Sequence, residues 1–258
     1  MAILENLNVK IFADGADLDS MRALCTNPHI KGFTTNPTLM RKAGVLHYEA
    51  FARELLGMVS GRPVSFEVFA DEEHEMEAQA LAIASWGPNV NVKIPVTNQA
   101  GVFMGPLIRR LSEAGVILNV TALLTLDQVA QVIDALHSDT PAIVSIFAGR
   151  IADTGIDPVP IMKAAVAMLS SRPSAKLLWA SPRELFNIFQ ADEACCHIVT
   201  VPPEILQKLN LVGKNLTEYS LETVAMFHRD ARAAGYTIET RTLASTLSAL
   251  QDQRSGLA

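Results

Sequence analysis

Lys93 has the most demanding surroundings in the chain. It lies in Asn91-Val92-Lys93-Ile94-Pro95-Val96, a short apolar, β-branched run followed by polar Thr97 and Asn98, the pattern of a buried strand. A buried ammonium is costly unless it is paired or gives up its proton. Burial disfavours the charged form, and a neutral amine is a nucleophile. The position marks a candidate Schiff-base lysine. The bland alternative is a lysine that snorkels to solvent or pairs with a buried carboxylate.

Further polar residues sit at the ends of other apolar runs. Asp14 closes 9–14, and Asn36 lies just past 32–35. Alternation along a strand puts Ser65 with Glu67, Lys93 with Asn91, Asn119 with Thr121, and Ser145 with Phe147, each pair on one face. Arg150 follows the sixth run, and Ser181 and Arg183 follow the seventh. Each has an ordinary structural reading. Asp14 or Asn36 would cap a helix, Asn119 or Thr121 would satisfy local backbone, Arg150 would join a loop ion pair, Glu67 would compensate Lys93, and Phe147 would pack in the core. Those separate readings do not explain why polar residues recur at seven strand ends around one lysine.

The elements that must carry these residues follow one rhythm. Apolar β-rich segments fall at 9–14, 32–35, 64–69, 91–96, 116–120, 142–147, 176–180 and 197–201. Helical spacing fills 17–25, 45–58, 73–86, 99–113, 126–137, 158–170, 183–190 and 216–234. Strands alternating with helices imply a parallel sheet. At 258 residues the expected solution is an α/β fold, a closed (β/α)8 TIM barrel in a single domain spanning 1–258. An open doubly wound sheet is the alternative. The tail 239–258 carries Leu243, Leu247 and Leu250 at helical spacing and is expected to add a C-terminal helix.

Composition narrows the function. Hydrophobic residues make up 49% of the chain, enough for a large core, and net charge is −6 without a basic run, so no nucleic acid partner is expected. No apolar stretch reaches membrane-spanning length and the N-terminus is no signal peptide, so neither membrane nor export is expected. Cys25, Cys195 and Cys196 form no disulfide framework, which points to a reducing cytoplasm. The six histidines lack metal-ligand spacing, and neither a P-loop nor GxGxxG occurs, so no metal and no nucleotide cofactor is expected.

The chain resembles the transaldolase family of class I Schiff-base enzymes. The resemblance is carried by Phe12-Ala13-Asp14-Gly15, Thr34-Thr35-Asn36-Pro37, Phe66-Glu67-Val68, Val92-Lys93-Ile94-Pro95, Asn119-Val120-Thr121, Ser145 through Arg150, and Ala180-Ser181-Pro182-Arg183, in family order over about 1–235. It implies a (β/α)8 barrel, no cofactor and sugar-phosphate substrates; a homo-oligomer is also expected. A ketose phosphate such as sedoheptulose 7-phosphate or fructose 6-phosphate would form an imine with Lys93 and leave a dihydroxyacetone unit for an aldose phosphate.

The same resemblance gives Asp14, Glu67 and Thr121 proton-handling roles and Asn36, Asn119, Ser145 and Phe147 substrate contacts. Arg150, Ser181 and Arg183 become a phosphate clamp. Pro182 stands where the family usually has an aromatic residue. The fructose 6-phosphate aldolase subgroup typically has glutamine and tyrosine at the positions of Glu67 and Phe147. Its lyase activity, a transaldolase for an unusual sugar, and a catalytically silent sugar-phosphate-binding barrel are the other readings. The intact Lys93, Asp14, Glu67 and Thr121 weigh against the last.

Overall fold

The computed structural model describes residues 2–240. Eight strands form a closed parallel barrel in sequence order: β1 (Lys10–Asp14), β2 (Ile30–Thr34), β3 (Val64–Glu67), β4 (Val90–Pro95), β5 (Leu118–Leu123), β6 (Ala142–Ile146), β7 (Ala175–Trp179) and β8 (Ile198–Val201), with β8 pairing back onto β1. Each expected strand is present, with ends shifted by a few residues.

The helices are α1 (Ala2–Glu5), α2 (Leu18–Cys25), α3 (Pro37–Lys42), α4 (Tyr48–Met58), α5 (Glu73–Ala84), α6 (Gly105–Glu113), α7 (Leu126–Ala135), α8 (Ala148–Asp153), α9 (Pro158–Leu169), α10 (Phe186–Glu193), α11 (Pro203–Leu206) and α12 (Leu216–Ala233). Their starts are written locally. Asp17 accepts from Ser20 N–H at the head of α2, and Thr125 and Gln128 form a capping box on α7. Asp157 caps α9 with Pro158 in its first turn, where no N–H is needed.

Three helices begin later than their periodicity suggested, and α4, expected from 45, starts at Tyr48. The segment expected from 99 is first a turn closed on Asn98, with a Thr97–Phe103 bridge, so α6 starts only at Gly105. The segment expected over 183–190 begins at Phe186, because Asn187 Oδ1 accepts from the Arg183 and Glu184 N–H groups and holds that stretch as a turn. The short helices α3, α8 and α11 span too few turns to show a period.

Strand alternation builds two apolar layers. Outward residues such as Val92, Ile94, Val120, Val144, Leu177 and Val199 are fully buried against the helices. Inside the barrel, Phe12, Ile143, Leu178, Ala180 and Ile198 form a separate cluster with Phe147 against it. Gly32 makes room for that cluster, since a Cβ there would meet the Phe12 ring at 2.5 Å.

The chain divides into two compact units, Met1–Val212 with the barrel, and a second beginning at Gly213. Of the second, α12 is described, capped by the Asn215 side chain, which accepts from Thr217 and Glu218 N–H. The tail helix expected over 239–258 falls outside the described residues from 241 onward. Among the described residues no helix is long and apolar enough to cross a membrane.

Candidate active site

Strand register sets the centre of the site. Glu67 pairs with Lys93 between β3 and β4, and Lys93 pairs with Asn119 between β4 and β5, so three adjacent strands present these side chains in one row. Lys93 is buried, with 6% of its surface exposed, and its Nζ lies 2.9 Å from Glu67 Oε2. It also donates to the Thr35 carbonyl at 3.0 Å. The lysine is therefore held from two sides, and the reading of Glu67 as a charge partner is realised along with any chemical role.

Asn119 is locked by its neighbours. Its Nδ2 donates to Ser65 Oγ at 3.0 Å, and Ser145 Oγ donates to its Oδ1 at 2.6 Å. This buried chain spans β6, β5 and β3 and leaves the amide no rotameric freedom. Thr121, one inward position further along β5, is 2% exposed, and its Oγ1 has no hydrogen-bond partner among the described residues. A buried hydroxyl without a partner is costly to keep, and here it borders a cavity.

Asp14 faces this row from β1. Thr34 Oγ1 donates to Asp14 Oδ1 at 2.7 Å and also contacts Thr200 Oγ1. Burial raises the Asp14 carboxyl above its ordinary 3.8, against the opposing pull of the Lys93 charge and the Thr34 hydrogen bond. A carboxyl whose charged form is disfavoured by desolvation is a ready proton acceptor.

A cavity of about 490 Å³ opens above these residues at the C-terminal end of the barrel. Asp14, Asn36, Glu67, Lys93, Asn119, Thr121, Ser145, Phe147, Arg150 and Ser181 all line it. Asn36 also caps α3, its Oδ1 accepting from Leu39 N–H at 3.0 Å, so its structural reading holds too. At the rim the Arg150 guanidinium sits 5.2 Å from the Phe147 ring centre and forms no ion pair among the described residues.

Arg183 departs from the expected clamp. It does not line the cavity, and its guanidinium is engaged by Asp153 of α8, Nε donating to Oδ1 at 2.9 Å and Nη2 to Oδ2. The turn after β7 explains this placement. Ser181 adopts φ +62°, and its carbonyl oxygen passes so close to Gly149 that a Cβ there would lie 1.5 Å from it. The turn is thereby pressed onto α8, which brings Arg183 to Asp153. Ala122, after Thr121, has φ +65°. Non-glycine residues in this region cost about 1–2 kcal/mol each, and both border the cavity, where such strain tends to collect.

Like Thr34 and Thr35, Tyr48 is a neighbour of the site that sequence reasoning missed. Its hydroxyl donates to the Glu67 carbonyl at 3.1 Å and accepts from the Glu67 N–H at 2.8 Å. Pairing of β2 with β3 ends at Thr34–Ser65, so Glu67 has lost its ladder partner on that side, and the phenol replaces it. The ring is fixed edge-on against Phe66 and Trp86. Nothing in a tyrosine within a helical segment announces a bond to distant backbone. Among the described residues no three His, Cys, Asp or Glu side chains converge as a metal site.

The transaldolase/fructose-6-phosphate aldolase family profile matches residues 11–250. The chain belongs to this family. A protein named "Probable transaldolase" from Dehalococcoides mccartyi is 32% identical over 202 residues, covering 78% of this chain and 90% of that one. Another of that name from Thermoanaerobacter sp. is 31% identical over 231 residues, covering 89% of this chain and all of the relative (100%). Among solved structures, a mandelate oxidase superposes with a TM-score of 0.53 at 14% identity, covering 87% of this chain and 74% of that one, a likeness of fold alone. Membership of the transaldolase/aldolase family makes the protein an enzyme of transaldolase or aldolase type.

Proposed function

We propose that the enzyme is a transaldolase, moving a dihydroxyacetone unit from a ketose phosphate to an aldose phosphate through a Schiff base on Lys93. The observation that carries this reading is the buried Lys93 Nζ 2.9 Å from Glu67 Oε2 in the cavity. A proton passed to Glu67 frees the amine lone pair. The amine adds to the ketose C2 carbonyl, and the carbinolamine loses water to give an iminium, with Glu67 and Thr121 handling the water and its protons.

Asp14 then takes the proton of the C4 hydroxyl, the C3–C4 bond breaks, and its electron pair enters the iminium to form an enamine. The released aldose phosphate departs. An acceptor aldehyde is attacked by the enamine, Asp14 returns the proton to the new alkoxide, and water hydrolyses the iminium. Arg150 and the Ser181 turn suit the phosphate, because a guanidinium makes charge-assisted bonds to its oxygens. Glu67 and Phe147 favour transfer over simple cleavage, because a phenylalanine offers the enamine no proton.

Borohydride reduction in the presence of fructose 6-phosphate tests the reading. One peptide, that containing Lys93, should gain the reduced sugar, and Lys93→Ala should lose both labelling and turnover. Labelling of a different lysine, or an active Lys93→Ala enzyme, would refute it.

A further inference from the structure

A second cavity, of about 610 Å³, opens at the opposite, N-terminal mouth of the barrel. It is walled by Phe12, Ile117, Ile143 and Ile198, and the inner cluster of Phe12, Ile143, Leu178 and Ile198 stands between it and the Lys93 cavity. Lys10, Lys31 and Lys176 line it and, among the described residues, no carboxylate does, although the chain as a whole carries −6. None of the three lysines forms an ion pair among the described residues.

A buried group at the same cavity lacks a partner. Asn91 is 5% exposed, lines this lower cavity, and its amide nitrogen has no hydrogen bond among the described residues. Buried amides are normally satisfied, and this nitrogen lies closed off just behind the cavity wall, so a small turn of the Asn91 side chain would present it to an incoming atom. His197 adds a further donor at this mouth. Its Nδ1 accepts from Leu177 N–H, which places the proton of the neutral ring on Nε2. Burial and the charges of Lys176 and Lys10 hold His197 below its ordinary range, which agrees with both lysines converging on it.

We propose that this mouth is a second ligand site, separate from the Lys93 cavity, which takes a phosphomonoester carrying a small apolar body with one polar atom at its inner end. The ammonium groups of the rim match a dianion, the apolar walls match the body, and the Asn91 amide meets the inner polar atom. The site is independent of the reaction assigned to Lys93.

Calorimetric titration of the full chain carrying Arg150→Ala tests it, because the upper cavity has then lost its rim cation. Phenyl phosphate is expected to bind at least about tenfold more tightly than inorganic phosphate, reflecting the apolar walls. Adding Lys10→Ala and Lys176→Ala should weaken phenyl phosphate by about tenfold or more and flatten its salt dependence. The hydroxyl of 4-hydroxyphenyl phosphate should improve binding, and Asn91→Leu should cancel that gain while leaving the fold intact, since it removes an unpaired polar group. Equal binding of inorganic and phenyl phosphate, or affinity unchanged by the two lysine substitutions, would overturn the proposal. So would a hydroxyl gain that survives Asn91→Leu.

Discussion

The Tyr48 hydroxyl bonds both backbone groups of Glu67, closing a strand edge that β2 no longer reaches and fixing the carboxylate that holds Lys93. Burial pushes this phenol up, away from ionisation, so it stays a donor across the working range. Tyr48→Phe should cost about 1–3 kcal/mol in urea unfolding, the usual penalty for stranding buried polar groups. On the proposed mechanism, turnover should fall by roughly 10–100-fold with a smaller change in KM, because Glu67 shifts while the substrate pocket remains. A Tyr48→Phe enzyme with unchanged kcat would make the tyrosine purely structural.

Asp14 sets a pH dependence with a definite sign. Its folded-state affinity for a proton is raised above the ordinary 3.8. A raised carboxyl contributes stability that is fully present below pH 3.8 and is lost as pH climbs through the folded value. Relative to Asp14→Asn, the wild type should therefore lose stability as pH increases across that window, measured by chemical unfolding at several pH values. Asp14→Asn should also lower the cleavage rate by about 10²–10⁴-fold, the usual contribution of a positioned base. A parallel pair of stability curves would contradict the raised affinity.

The two arginines should separate cleanly. Arg150→Ala is expected to raise KM for phosphorylated substrates by about ten- to a hundredfold, with little change for dihydroxyacetone. Arg183→Ala should do neither. Its pair with Asp153 is about half exposed, with side-chain exposures of 48% and 52%, so its loss should cost no more than about 1 kcal/mol. Steady-state kinetics on both variants decides this, and a large KM effect at Arg183 would return it to the phosphate site.

Phe147 packs against the inner cluster and lines the cavity. With fructose 6-phosphate alone the enzyme should release little dihydroxyacetone, and an aldose phosphate should restore steady turnover. Phe147→Tyr adds a hydroxyl able to protonate the enamine and should increase free dihydroxyacetone. Rapid acceptor-independent cleavage by the unmodified enzyme would make it an aldolase instead.

The barrel was legible because its signals are local. Apolar runs at strand spacing located all eight strands, and the inward parity of Glu67, Lys93, Asn119 and Thr121 follows from alternation alone. What escaped depends on contacts that no spacing encodes. Tyr48 reaches its partner across 19 residues through backbone atoms, and Arg183 is turned aside by Asp153, 30 residues earlier, because Gly149 lets the Ser181 carbonyl come close. The late start of α6 was hidden for another reason: residues 99–104 are compatible with a helix in composition but are claimed by the Asn98 turn.

The Phe12 ring, lying flat over Gly32 among Ile143, Leu178 and Ile198, acts as a bulkhead across the barrel axis. It stands between the upper cavity that holds Lys93 and the lower one. On the proposed mechanism, water that hydrolyses an intermediate on Lys93 would share the opening used by the sugar, and a seated substrate would screen it. A shared doorway of this kind would let a short-lived intermediate outlast the exchange of one aldehyde for the next.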